Sequence, residues 1–152
     1  MPIEIINGLY LGSKNDAFNV EFLSTRNIDV IINTTNEVQF LKNSGKIQCI
    51  RVPISDDFPE SDKEKHNREY YHQLEQLCKL LDLKLQQNNN VLVHCKHGKY
   101  RSTCLVIAYL MYKSRIKLDT IYEIMSTKYP LVKFKRHIFG QALKMFESDL
   151  GI

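Results

Sequence analysis

The sequence predicts an α/β domain built on a mostly parallel sheet. Two observations carry this. Short β-branched runs alternate with stretches of helical periodicity, and the C-terminal part is helical. At the centre lies Val91-Leu-Val-His-Cys-Lys-His-Gly-Lys-Tyr-Arg-Ser-Thr103, where an apolar run meets a polar loop and then a long apolar stretch to Tyr112. Read as strand, loop and helix, this stretch puts the loop at the carboxyl end of a buried strand. That is where open α/β sheets bind ligands, and the N–H groups of the following helix favour an anion.

Taken in order, Ile3 to Ser13 reads as two short strands around the Asn7-Gly8 turn, with Tyr10 and Leu11 facing the core. Asp16 to Arg26 reads as one helix, with Ala17, Val20 and Leu23 at helical spacing. Ile28 to Thr34 is a buried strand. Glu37 to Gly45 is a short helix or loop, and Lys46 to Ile54 another strand, ended by Pro53 and Ser55-Asp56-Asp57. Phe58 to Lys65 is polar, contains Pro59 and reads as a mobile surface loop. Ser61-x-x-Glu64 fits a capping box for a helix to about Gln87, with Leu74, Leu77, Cys78, Leu81 and Leu85 as its apolar stripe. Asn88-Asn89-Asn90 turns the chain into the central strand. Arg101 to Lys113 is apolar nearly all round and runs through the core. Leu118 to Lys128 and Lys135 to Leu150 complete the chain as helices either side of Pro130.

At 152 residues, the chain is read as one domain, residues 1–152, able to bury a core without staples. Its net charge of +4 favours anionic partners but falls short of a nucleic-acid binder, so no stable nucleic-acid partner is expected. No run reaches the roughly 18 apolar residues of a membrane span, and no leader pattern opens the chain. The expectation is a soluble intracellular protein, cytoplasmic or nuclear. Cysteines 49, 78, 95 and 104 form no CxxC pair and no zinc pattern, so they are read as free thiols, with Cys49 and Cys104 in the core.

The central loop carries the chemistry. A cysteine ringed by backbone N–H groups, Lys96, Lys99 and Arg101 is expected as a thiolate near neutral pH, since such surroundings lower a thiol pKa from about 8.5 to roughly 3.5–7.5. Arg101 can hold two oxygens of a phosphate with its planar fork. The residues between, Lys96, His97, Gly98, Lys99 and Tyr100, let the backbone curl round one tetrahedral oxyanion, and Gly98 permits the tight turn. A nucleophile and its oxyanion clamp thus share one loop. His94, ending a buried strand, is read as a supporting residue that orients the loop. Ser102 is read both as a helix cap and as a hydrogen-bond donor to the sulfur.

His94-Cys95-x5-Arg101-Ser102, with Gly98 inside, resembles the phosphate-binding loop of cysteine-dependent protein phosphatases. Leu105 to Met111 is similar to the helix that follows in the dual-specificity branch, and Leu9-Tyr-Leu-Gly-Ser13 and Val52-Pro-Ile-Ser-Asp56 also resemble that branch. The resemblance implies a small, mostly parallel central sheet flanked by helices, like that of protein tyrosine phosphatases. It implies that Cys95 forms a phosphocysteine and that Asp56, rather than Asp57, is the general acid. The segment from Asp56 to Cys95 is longer than is usual in the family. A serine or threonine leaving group needs that proton. The implied substrate is a phosphorylated protein, on tyrosine, serine or threonine. No metal and no cofactor are expected, because Arg101 and the loop dipoles supply the neutralising charge.

Other readings stay open. Cys95-Lys-x-Gly-Lys-x-Arg101 resembles the lysine-bearing loop of phosphoinositide phosphatases, and His97-Gly98 occurs in RNA 5′-phosphatases. A phosphopeptide-binding pseudophosphatase usually lacks the cysteine, which is intact here. Sulfur-transfer domains share a cysteine loop but not the rest. Lys133-Phe-Lys-Arg-His137 is a basic cluster, read as a solvated helix start or as a source of positive potential near substrate. The oligomeric state is not legible.

Overall fold

The computed structural model of the chain describes residues 2–42, 45–55, 57–96, 101–130 and 136–152, the side chains of Arg136 and His137 excepted. Five strands form one sheet: β1 (Ile3–Ile6), β2 (Leu9–Gly12), β3 (Ile28–Asn33), β4 (Gln48–Arg51) and β5 (Asn90–His94), in the order β1-β2-β5-β3-β4. Only β1 runs antiparallel to its neighbour; β2, β5, β3 and β4 are mutually parallel. The expected mostly parallel sheet is therefore found, and β5 occupies its centre.

Alternation within the strands divides the core into two layers. Leu9, Leu11, Val30, Ile32, Val91 and Val93 pack with α3 (Lys63–Gln86), α4 (Arg101–Ser114), α5 (Leu118–Lys128) and α6 (Arg136–Leu150). Tyr10, Ile31 and Leu92 face the other way, onto Ala17 of α1 (Lys14–Ala17) and Leu23 of α2 (Val20–Thr25). Because β5 is covered on both faces, its sequence reads as an unbroken apolar run rather than an alternating one.

Several expectations change. The single helix expected over Asp16 to Arg26 is two short helices, broken at Phe18-Asn19, where the Asn19 side chain accepts a bond from the Phe22 N–H at 3.1 Å and caps the second. Val20, expected to face the core, is 65% exposed. The capping box expected at Ser61-x-x-Glu64 does not form: Glu60–Asp62 is a single 3-10 turn, α3 starts at Lys63, and Asp62 occupies the cap position. Phe58, placed by sequence in a surface loop, is partly buried against the core. Cys104 is buried as expected, whereas Cys49 is only half-buried.

The α3–α6 contact contains a buried polar tie. Asn67 Nδ2 donates to the carbonyls of Lys63 (2.9 Å) and Ile138 (2.8 Å), and its Oδ1 accepts from the Ala142 N–H (2.9 Å). Every polar atom of that amide side chain has a partner, which is what permits its burial.

Candidate active site

Cys95 follows the last residue of the central strand. His94, that last residue, pairs in register with Gly12 on one side and Asn33 on the other. Its carbonyl oxygen accepts two bonds from Thr34, from the backbone N–H at 2.9 Å and from Oγ1 at 2.8 Å. Gly12 serves a close approach: a Cβ there would lie 2.7 Å from Asp16 Oδ2. That carboxylate accepts the Ser13 N–H at 2.8 Å and fixes the start of α1, whose Lys14 N–H reaches the Lys96 carbonyl at 3.2 Å. The Leu9-Tyr-Leu-Gly-Ser13 stretch therefore braces the loop just past the cysteine.

His94 is fully buried, and its Nδ1 lies 2.9 Å from the Cys95 carbonyl oxygen. A carbonyl only accepts, so Nδ1 carries the proton and donates. Burial holds the imidazole below its usual pKa, against smaller opposing effects of that bond and of Asp16. A neutral histidine thus fastens the carbonyl of the residue after it.

The sulfur of Cys95 is itself buried, 3.1 Å from Ser102 Oγ, whose hydroxyl donates to it. Ser102 lies in the first turn of α4, so the helix start brings a donor to the Cys95 sulfur. The other buried thiols lie in different surroundings. Burial raises the pKa of both Cys78 and Cys104, strongly, and keeps them protonated.

Arg101 is the second fixed point. Its side chain is only 8% exposed, and its Nη1 donates to Glu37 Oε1 at 2.6 Å and to the Ile54 carbonyl at 3.3 Å. Glu37 was not singled out by the sequence. It stands on the turn after β3, and that turn is closed by buried polar groups. Asn33 Nδ2 donates to the Val38 carbonyl at 2.8 Å, while Asn33 Oδ1 accepts the Thr35 N–H and hydroxyl at 3.0 and 2.7 Å. Arg51, at the end of β4, donates to the carbonyls of Thr35 (2.7 Å) and Val38 (2.9 Å) and lies over the Phe40 ring. The available signal was Asn33-Thr-Thr35, a polar run at the carboxyl end of an apolar strand that neighbours β5.

The structure thus brings together His94, Cys95, Arg101 and Ser102, with Lys96 exposed at the loop's start. His97, Gly98, Lys99 and Tyr100 of the loop, and Asp56, lie outside the described residues, as do Lys133 to Lys135 and the side chains of Arg136 and His137. Asp57 is described and exposed. Among the described residues no group of His, Cys, Asp and Glu is placed to hold a metal.

The family profile "Dual specificity phosphatase, catalytic domain" matches residues 9–148. The chain belongs to this dual-specificity phosphatase family. It is 33% identical to human dual specificity protein phosphatase 9 over 152 residues, covering 99% of this chain and 37% of that protein. It is 31% identical to human dual specificity protein phosphatase 6, covering 99% and 38%. The chain thus spans little more than a third of the length of these relatives. The crystal structure of human DUSP28 superposes with a TM-score of 0.82 at 22% identity, covering 99% of this chain and 95% of that one, and so shares the fold. No helix among the described residues is long and apolar enough to cross a membrane.

Proposed function

We propose that this dual-specificity phosphatase domain hydrolyses phosphotyrosine, phosphoserine and phosphothreonine on proteins through a phosphocysteine. The observation that carries the proposal is the 3.1 Å contact of Ser102 Oγ with the Cys95 sulfur, one residue from an arginine fixed by Glu37. In the first step the Cys95 thiolate attacks phosphorus, and the bond to the leaving oxygen breaks as Asp56 gives that oxygen a proton. Arg101 and the loop N–H groups from Lys96 to Arg101 hold the three non-bridging oxygens. In the second step water attacks the phosphocysteine, its proton passes to the Asp56 carboxylate, and the sulfur leaves as thiolate towards the Ser102 hydroxyl. Inorganic phosphate and the starting enzyme result.

The test is a phosphate-release panel. It compares phosphotyrosine and phosphothreonine peptides, inositol lipids and 5′-triphosphorylated RNA, with Cys95→Ser beside the wild type. Release from both peptides, abolished by Cys95→Ser while phosphopeptide binding remains, is expected. Turnover by Cys95→Ser near the wild-type rate refutes the mechanism. A kcat/KM at least about tenfold higher on lipid or RNA, roughly 1.4 kcal/mol of transition-state preference, overturns the substrate class and leaves the Cys95 chemistry standing.

A further inference from the structure

Four parallel strands end together at the carboxyl edge of the sheet. There Gly12, His94, Asn33 and Arg51 stand abreast: His94 pairs in register with Gly12 and Asn33, and Asn33 with Arg51. The first two lie at the cysteine. The last two hold the turn after β3, which carries Glu37.

Arg51 is on the edge strand β4, where a charged side chain ordinarily reaches into water. Its guanidinium folds onto the turn instead. Nη1 donates to the Thr35 carbonyl at 2.7 Å and Nη2 to the Val38 carbonyl at 2.9 Å, with the Phe40 ring centroid 4.8 Å from the guanidinium carbon. One rigid planar fork therefore sets the separation of the two carbonyls that flank Asn36-Glu37. From the inner side, Asn33 Nδ2 donates to that same Val38 carbonyl at 2.8 Å, and the Val38 N–H donates to Thr35 Oγ1 at 2.9 Å. The contact of Glu37 Oε1 with Arg101 Nη1, at 2.6 Å, depends on such support. The Glu37 side chain is 52% exposed, and an ion pair to a half-solvated partner does little orienting by itself. A backbone pinned on both sides of Glu37 removes much of that freedom.

We propose that Arg51 is a positioning residue for the phosphate-binding arginine: by clamping the Thr35 and Val38 carbonyls it fixes the turn that carries Glu37, and Glu37 in turn aims the Arg101 guanidinium. The proposal rests on reading Arg101 as the side chain that holds phosphate. Because Arg51 acts through Glu37, removing it cannot cost more than removing the Glu37 carboxylate. Two other routes would obey no such limit. Its positive charge could attract phosphate directly. It could also act through His94, whose pKa is lowered mainly by burial and further by the Arg51 charge.

The experiment measures vanadate affinity at pH 7.5 for the wild type, Arg51→Met, Arg51→Lys, Glu37→Ala, the double variant Arg51→Met/Glu37→Ala, and Arg101→Lys, with urea unfolding in parallel. Glu37→Ala is expected to weaken vanadate about tenfold, the scale of one hydrogen bond to a charged group. Arg51→Met should weaken it about fivefold in the wild type and less than about twofold in the Glu37→Ala background, as coupled residues behave. Arg51→Lys keeps the charge but not the planar fork, and should match Arg51→Met. If Arg51→Met does not fold, Arg51→Gln, which can donate to one carbonyl but not span both, replaces it with the same expectation. A fivefold loss that persists without the Glu37 carboxylate overturns the proposal, as does full affinity in Arg51→Lys. A lower unfolding midpoint with unchanged affinity also overturns it, since a guanidinium that only closed the turn would behave that way. In each of these cases weak vanadate binding by Arg101→Lys leaves the phosphate role of Arg101 standing. Wild-type affinity in Arg101→Lys removes that role and the proposal with it.

Discussion

Cys95, the proposed nucleophile, and the proposed acid segment, Val52 to Asp62, are held by structures of different kinds. Cys95 ends a strand that is hydrogen-bonded on both sides and covered on both faces, with Val91, Leu92 and Val93 wholly buried. In the segment from Val52 to Asp62, Val52 and Ile54 donate their N–H groups to Asn33 and Thr34 and are buried in the core, whereas Pro53, Asp57, Pro59 and Glu60 are exposed. Beyond Ile54, the described side-chain contacts that tie it to the helices include the Phe58 ring against His66 and Phe139 and the Glu60–Lys63 ion pair. Cys95 is thus held by what holds the whole domain. Beyond Ile54 the proposed acid segment is held by a few side chains.

Substitutions that affect stability should separate the two sides most widely. Leu92→Ala empties a site filled from the α1–α2 face of the central strand, and is expected to cost about 2–5 kcal/mol of folding stability. Pro59→Ala, at an exposed position of the acid segment, should stay within about 0.5 kcal/mol. Urea unfolding of both variants beside the wild type measures this. Comparable losses would mean that the acid segment belongs to the cooperative core and that the contrast drawn here is wrong.

The same difference explains what could be read in the sequence. Periodicity reports which face of an element is buried, so β5, α4 and α5 were legible almost to the residue. It does not report partners. Glu37 and Arg101 meet across 64 positions, and neither local pattern names the other. Arg51 and Asn33 were equally silent, because a polar residue ending a strand looks the same whether it faces water or closes a turn. The start of α2 was missed because one asparagine cap decided it, and the start of α3 because the residues just before it turn 3-10 rather than cap the helix. Phe58 was assigned to the loop by its polar neighbours, although a single aromatic among them is what ties that loop down.

Glu37 offers a sharper cut, because it belongs to the nucleophile side yet is 52% exposed. If it orients Arg101, Glu37→Ala should lower kcat/KM about tenfold and weaken vanadate to a similar extent. That is roughly 1.4 kcal/mol, the scale of one hydrogen bond to a charged group after allowance for exposure. Glu37→Gln, which can still accept from Nη1, should fall between. The leaving-group dependence should not change. Tighter vanadate binding by Glu37→Ala would show instead that the carboxylate competes with phosphate for the arginine.

The smallest expected effect lies under the cysteine. Burial lowers the pKa of His94 in the folded chain from the ordinary 6.5, with Asp16 pulling the other way and Arg51 adding to the fall. Below pH 6.5 the unfolded chain takes up a proton at this position that the folded chain refuses. Folding stability from His94 is therefore intact above pH 6.5 and is lost as pH falls towards the lowered folded value. One proton limits the slope to about 1.4 kcal/mol per pH unit. His94→Asn keeps an N–H donor for the Cys95 carbonyl and removes the titration. The stability difference between wild type and His94→Asn, taken from urea unfolding, should accordingly shrink or reverse between pH 7.5 and 5.5. The other four histidines are common to both proteins and cancel in the difference. A difference that is constant across that range would mean that His94 is as easily protonated in the fold as in the unfolded chain. The neutral, Nδ1-protonated imidazole that fastens Cys95 would then be the wrong state.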